Sequence, residues 1–346
     1  MSTKQLFLAP TAAPTIANLP KCNIHTHLEG SVRPSTFMEL AVEHGIERKP
    51  SLDVVSRAMQ VTGAEESLVD YLDKISYGYQ VFLDKKSVQR IAYEAAEDAA
   101  LDGVIYLELR AGPVTHSRTD FPVGQVIESI LLGLHQAEDK YNIVCRLIVS
   151  ALRNHDPKEN IKLAHTAIEF KHDGVVGFDL AGDEAGYLAQ PHAKAFSIAR
   201  SNGLGITVHA GEAGGTDNIL YAVEKLKATR IGHGIRAIES RDLVNLLSQR
   251  QILLELCPTS NVHTNTVDNI KNHPVSKFYN EGIPISIGDD DPITSRTSVS
   301  SELTLLQNNF GFGIKKIKAI QQMSIESAFI TDQTLKSKLL QIVSAP

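Results

Sequence analysis

Val175-Val176-Gly177-Phe178-Asp179-Leu180-Ala181-Gly182-Asp183-Glu184 is a short apolar run that breaks into glycine and carboxylates. Nearly continuous apolar character suits a strand covered on both faces, as in a parallel sheet. Other runs share this form: Cys22–His25, Val104–Leu109, Val144–Val149, Ile206–His209, Arg230–Gly232, Ile252–Leu256 and Ile285–Ile287. Between most of them apolar residues recur at three- and four-residue spacing, over Val126–Tyr141, Ile161–His172, Ala193–Asn202, Ile219–Lys227, Asp242–Gln249 and Val275–Asn280. Eight strands alternating with helices predict an α/β protein, a (β/α)8 TIM barrel. The long gap after the first strand holds further helical patterns at Pro34–Glu43, Ser67–Gln80 and Ser87–Leu101. It reads as a helical insertion, residues 34–101, placed as a lid over the C-terminal mouth of the barrel. Residues 1–346 read as a single domain.

Composition narrows the partners. The chain has 346 residues, 42% hydrophobic and 21% charged, with a formal net charge of −6. Mixed signs give no basic face for nucleic acid or for a membrane surface. No apolar run approaches the roughly 20 residues that span a bilayer. At the N-terminus, Leu6-Phe7-Leu8 is interrupted by Pro10 and Pro14, with Lys4 its only basic neighbour, a poor signal peptide. Cys22, Cys145 and Cys257 lie far apart in apolar runs. They read as buried free thiols in a reducing compartment, the cytoplasm, not as a disulfide framework.

Barrel enzymes place their chemistry where strands end, and polar residues gather there. His25 and His27 stand two residues apart in a strand, so their rings leave one face. The fifth strand ends in His209-Ala210-Gly211-Glu212, the sixth in Gly232-His233-Gly234 and the eighth in Gly288-Asp289-Asp290-Asp291. Histidines with one carboxylate suit zinc, whereas hard cations prefer oxygen donors and thiolate sites need clustered cysteines. Each residue also has a plainer reading. A strand histidine can be core, Glu212 can cap the next helix, His233 can serve a turn, and three adjacent aspartates can form a solvated turn. Asp179 and Glu184 can simply orient loops and histidines. Arg110, His116, His155 and His263 also lie near strand ends, while His44, His135, His165, His172, His192 and His273 read as surface or packing residues.

His25-x-His27, His209-Ala-Gly-Glu212, Gly232-His233-Gly234 and Asp290-Asp291-Pro292, in this order, resemble the adenosine deaminase family of the amidohydrolase superfamily. Leu19-Pro20-Lys21, Asp179-Leu-Ala-Gly-Asp-Glu184 and Leu256-Cys257-Pro258-Thr259-Ser260-Asn261 agree, so the resemblance runs from about Leu19 to Phe312. It implies one zinc ion held by His25, His27, His209 and Asp290. By the same resemblance, Glu212 protonates N1 of a purine, His233 orients the attacking water, Asp291 meets N7 and the Gly182 N–H meets N3. The implied reaction is hydrolytic deamination of adenosine and 2′-deoxyadenosine to inosine and ammonia. The partner is a small purine nucleoside, with no nucleic acid or membrane.

Glu29 departs from the family pattern, which usually has Asp there for the ribose 5′-hydroxyl. It leaves open aminodeoxyfutalosine, methylthioadenosine, N6-methyl-AMP and free adenine. Arg33 is the sole nearby cation for a 5′-phosphate. Asp289 stands where Thr is common. Leu68, Tyr71, Leu72 and Ile75 read equally as a gate over the sugar or as core. Two rivals are a catalytically dead binding protein on this barrel, which the complete ligand set opposes, and a binuclear hydrolase. The latter would need a bridging group near Leu180-Ala181-Gly182.

Overall fold

The computed structural model describes residues 14–46, 51–63 and 67–345. Leu6-Phe7-Leu8, with Lys4 and Pro10, lies outside them. The strands are β1 (Lys21–His27), β2 (Val104–Ala111), β3 (Val144–Leu152), β4 (Val175–Ala181), β5 (Gly205–Ala210), β6 (Arg230–His233), β7 (Leu253–Leu256) and β8 (Ile285–Ile287). Each pairs in parallel with the next in sequence order. Beyond β8 the chain meets β1 again: His27 N–H donates to Asp290 O at 2.6 Å, and Asp290 N–H donates to His25 O at 3.0 Å. The expected (β/α)8 barrel is therefore the observed one. All eight strands were legible because burial on both faces leaves no polar alternation to confuse the period.

Helices surround the sheet and hide one apolar stripe each. In Lys85–Leu101 the buried Val88, Ile91, Ala92, Ala95 and Ala96 follow helical spacing. Its start is fixed by the Asp84 side chain, which accepts from the Ser87 N–H at 2.8 Å. The segment between β1 and β2 contains Pro34–Glu43, Leu68–Tyr77 and Lys85–Leu101 as expected, plus Leu52–Met59, which periodicity did not separate. The Ile219–Lys227 pattern is divided: an α-helix, Thr216–Tyr221, widens into a π-turn over Ala222–Leu226. Three C-terminal helices, Val299–Phe310, Ile314–Ser327 and Gln333–Ser344, also went unread. Among the described residues, no helix is long and apolar enough to cross a membrane.

The segment after Ile314–Ser327 plugs the bottom of the barrel. Phe329 N–H donates to Glu108 Oε1 at 2.6 Å, and the Arg230 guanidinium lies over the Phe329 ring at 3.7 Å. Gly205 makes room for that ring, since a Cβ there would lie 2.2 Å from it. Above the plug, fully buried charges fill the barrel axis. Arg230 reaches Glu108 Oε2 at 2.7 Å and Glu255 Oε1 at 2.7 Å, while Arg110 pairs with Glu255 and lies 3.5 Å from Asp179. Removing one partner from a buried pair strands the other's charge, at a cost of about 3–5 kcal/mol. Arg230→Met is accordingly expected to lower the urea unfolding midpoint well below that of the parent protein; an unchanged midpoint would contradict the network's structural role.

Candidate metal and substrate site

His25, His27, His209 and Asp290 converge at the C-terminal mouth of the barrel, each offering one ligand atom within 4.8 Å of the others. The Nε2 atoms of His27 and His209 face each other at 3.2 Å. Asp290 Oδ1 lies 3.3 Å from His25 Nε2 and 3.5 Å from His27 Nε2. His25 Nε2 is buried without a hydrogen-bond partner, a costly condition unless something else engages its lone pair. Burial pushes His27 and His209 down, favouring the neutral form that ligates metals. The donor set, three imidazoles and a carboxylate around one orphaned nitrogen, therefore fits a divalent cation.

Carboxylates behind the rings set their orientation. Glu255 Oε2 stands 2.9 Å from His25 Nδ1, and Asp179 Oδ1 stands 3.1 Å from His209 Nδ1. Each partner aims the opposite ring nitrogen at the shared centre, the arrangement that supports metal-binding histidines generally. Burial opposes ionisation of Glu255, but Arg110 and Arg230 hold it well below the usual carboxylate range. Sequence reasoning missed Glu255, which lies in the middle of β7 and carries no motif. Its one signal was a charge inside an apolar strand.

Glu212 and His233 face the same centre, with Glu212 Oε2 3.5 Å from His233 Nε2. Burial, then the nearby Asp290 carboxylate, pushes Glu212 up to about 8, although Thr264 donates to its Oε1 at 3.0 Å. Burial pushes His233 down to about 4. The loop that carries Glu212 is gripped by Glu184, whose carboxylate accepts from the N–H groups of Gly211, Glu212, Ala213 and Gly214 at 2.7 to 3.0 Å. Glu184 is thus a loop holder, and Glu212 is not needed as a helix cap.

The adjacent aspartates diverge. Asp289 turns inward to accept from Asn23 Nδ2 at 2.7 Å and is pushed up by burial to about 7. Asp290 faces the histidines, and its φ of +57° is a strained value for a non-glycine residue. Asp291 Oδ2 accepts from Tyr71 Oη–H at 3.1 Å, while its Oδ1 is buried without a partner. Burial and the Asp290 charge raise Asp291 well above the ordinary carboxyl range. Gly30 permits this approach, because a Cβ there would lie 1.9 Å from Asp291 Oδ1.

A cavity of about 340 Å³ opens beside these groups. Its walls include Glu29, Gly182, His209, Glu212, His233, Asp290 and Asp291, together with Leu68, Tyr71, Leu72 and Ile75 of the insertion. Residues of the insertion thus line the cavity, and Tyr71 both packs there and braces Asp291. Glu29 Oε1 accepts from the Gly112 N–H at 2.8 Å and meets His116 Nε2 at 3.1 Å. His155 also reaches the wall. No lysine or arginine is among the described residues of the lining. Arg33 is engaged elsewhere, with Glu97 at 2.8 Å and Asp98 at 2.6 Å. Cys22, Cys145 and Cys257 are buried and unpaired.

A family model described as adenosine deaminase matches residues 20–346, which also brings in the C-terminal helices. An adenosine deaminase of Clostridium acetobutylicum is 37% identical over 320 residues, covering 92% of this chain and 95% of its own length. The structure of an adenine deaminase from Arthrobacter aurescens superposes with a TM-score of 0.87 at 25% identity, covering 94% and 98% of the two chains. An Arabidopsis N6-mAMP deaminase gives 0.86 at 29% identity, covering 96% and 100%. An amidohydrolase from Burkholderia ambifaria with bound zinc gives 0.83 at 25% identity, covering 98% and 99%.

If the four donors hold one ion, Asp290→Ala will reduce bound metal sharply after dialysis, measured by elemental analysis against protein concentration. Metal content equal to that of the parent protein would refute the ligand set.

Proposed function

The chain belongs to the adenosine deaminase family, and on that premise we propose that it hydrolyses the 6-amino group of adenosine and 2′-deoxyadenosine, releasing inosine or 2′-deoxyinosine and ammonia. The observation that carries this reading is geometric: the buried carboxyl group of Glu212 stands 3.5 Å from His233 beside the four-ligand cluster, and burial favours its acid form. Three imidazoles and one carboxylate select zinc among common divalent ions, one per chain. When bound, zinc supplies a Lewis acid that makes hydroxide available near neutral pH.

The residues of the chain do the rest. Glu212 in its acid form donates to N1 and so draws electrons from C6, where oxygen adds. The resulting carboxylate then takes the proton of the added hydroxyl and passes it to the departing amine, so that ammonia leaves, C6 keeps a carbonyl oxygen and N1 keeps its proton. Burial and the Asp290 charge raise Asp291, which favours the neutral carboxyl needed to donate to N7, a lone-pair acceptor. The Gly182 N–H is read as the donor to N3; its φ of +94° turns the backbone at the cavity wall. His233 faces the oxygen that adds. The lid excludes water from the ring and orders the substrate.

Glu29 sets the substrate class. Both of its protein bonds fall on Oε1, so Oε2 is read as the acceptor for a sugar hydroxyl. The structural neighbours include an adenine deaminase and an N6-mAMP deaminase. A phosphate would meet Glu29, Asp73 and Asp183 with no lysine or arginine on the described wall. An uncompensated buried charge is strongly unfavourable, which favours an uncharged nucleoside. The buried thiols suit a reducing cytoplasm. Because the strands and the insertion share one cavity, we read the chain as a single catalytic domain.

Glu212→Gln should keep zinc and lose about 10²–10⁴-fold in kcat, the usual contribution of a positioned proton donor; full activity would sink the mechanism. In the parent enzyme the acid form of Glu212 is required, so kcat should fall as pH rises through its pKa. A cation in the cluster pulls that pKa down, placing the basic limb at or below about 8. Loss of ultraviolet absorbance should occur with adenosine and 2′-deoxyadenosine and be slower by orders of magnitude with AMP. Faster turnover of AMP or adenine than of adenosine would reassign the substrate, and no turnover of any 6-aminopurine would reject deamination.

A further inference from the structure

Behind the reacting face of His233, hydrogen bonds run through two side chains to a backbone amide. The Val275 N–H points at His273 Nδ1 from 3.2 Å. A backbone N–H only donates, so His273 Nδ1 accepts and the neutral ring carries its proton on Nε2. That Nε2–H faces Asn261 Oδ1 at 3.2 Å. With its oxygen engaged, Asn261 turns its amide nitrogen toward His233 Nδ1 at 3.1 Å. An amide nitrogen only donates as well, so His233 Nδ1 must accept. A neutral imidazole with an accepting Nδ1 carries its proton on Nε2, the atom 3.5 Å from Glu212 Oε2.

Among the described residues, no other hydrogen bond engages these ring and amide atoms. Asn261, His233 and His273 are 0%, 1% and 3% exposed, so water is excluded from each link. Burial pushes His273 down to about 3, keeping its ring neutral. Reversing the direction would require Asn261 to flip and His273 to abandon a buried backbone N–H. Such orphaned donors are rare in folded proteins.

We propose that Asn261 and His273 are positioning residues that lock His233 as the Nε2–H tautomer, so that His233 acts as a hydrogen-bond donor to the oxygen adding at the ring and not as a base. The role of that donor rests on the deaminase reading; the tautomer rests on the hydrogen-bond chain alone.

The test is nitrogen-15 NMR of the full-length protein with labelled histidine, metal-free and zinc-loaded, with the His233 signals identified by their loss in His233→Gln. The expected spectrum shows a protonated Nε2 and a bare Nδ1 on His233. A proton on Nδ1 overturns the proposal, and this arm needs no substitution in the relay to fold. Asn261→Asp replaces the donating amide by an accepting carboxylate and should move the proton to Nδ1. It should cost about 10–100-fold in kcat, the range for partners that orient site residues, with zinc content and KM for adenosine near parent values. His273→Phe removes the last link and should give mixed His233 tautomers. Unchanged kcat in a folded Asn261→Asp protein would overturn the donor role. Failure to turn over any 6-aminopurine while Nε2–H is observed would overturn the deaminase reading and leave the relay standing.

Discussion

The carboxylate of Glu255 is the point on which the rest depends. It lies on the barrel axis and is met by His25, Arg110, Arg230 and Thr207. A lone carboxylate at zero exposure would be expelled or protonated. Two guanidinium groups hold it ionised instead, and the same charge fixes the His25 ring with Nε2 facing the ligand cluster. One end of this chain reaches the C-terminal plug through Arg230, Glu108 and Phe329. The other reaches the candidate metal donors through His25. The interior is therefore a charged axis wrapped in apolar strands, and its two ends serve stability and chemistry.

A second rule follows from burial. Four of the candidate site side chains are aimed by buried residues that lie outside the cavity lining. Asp179 aims His209, Glu255 aims His25, Glu184 grips the loop of Glu212, and Asn261 with His273 stands behind His233. In a low-dielectric mouth, ring tautomers and carboxyl rotamers cannot be left to water. They are set by fixed protein dipoles, which leaves the site groups little freedom to reorganise.

This division explains what the sequence could reveal. Candidate site residues announce themselves because strand ends place them beside glycines, as in His209-Ala210-Gly211-Glu212 and Gly232-His233-Gly234. The aiming residues sit where chemistry leaves no local pattern. Glu255 interrupts an apolar strand, and His273 reads in sequence as a surface or packing residue. Yet His273 is 3% exposed and two hydrogen bonds from Glu212's neighbour. Strands were legible for the same reason that helices at the C-terminus were not. The strands bury both faces and read as continuous apolar words, whereas Ile314–Ser327 and Gln333–Ser344 carry many polar residues and bury only a narrow stripe.

Asp290 joins the fold to the site. Its backbone completes the ring of strands by exchanging hydrogen bonds with β1, and its side chain faces the histidines that β1 carries. Its left-handed backbone is what allows both at once. An extended residue at that position would carry the side chain to one face of the sheet in the ordinary alternation. The positive φ breaks that alternation and re-aims the carboxylate, and His233 on β6 does the same at φ +62°. Strain of about 1–3 kcal/mol per such residue is tolerated because the surrounding barrel over-determines both positions. Closing the barrel and assembling the ligand cluster are consequently one structural event, not two.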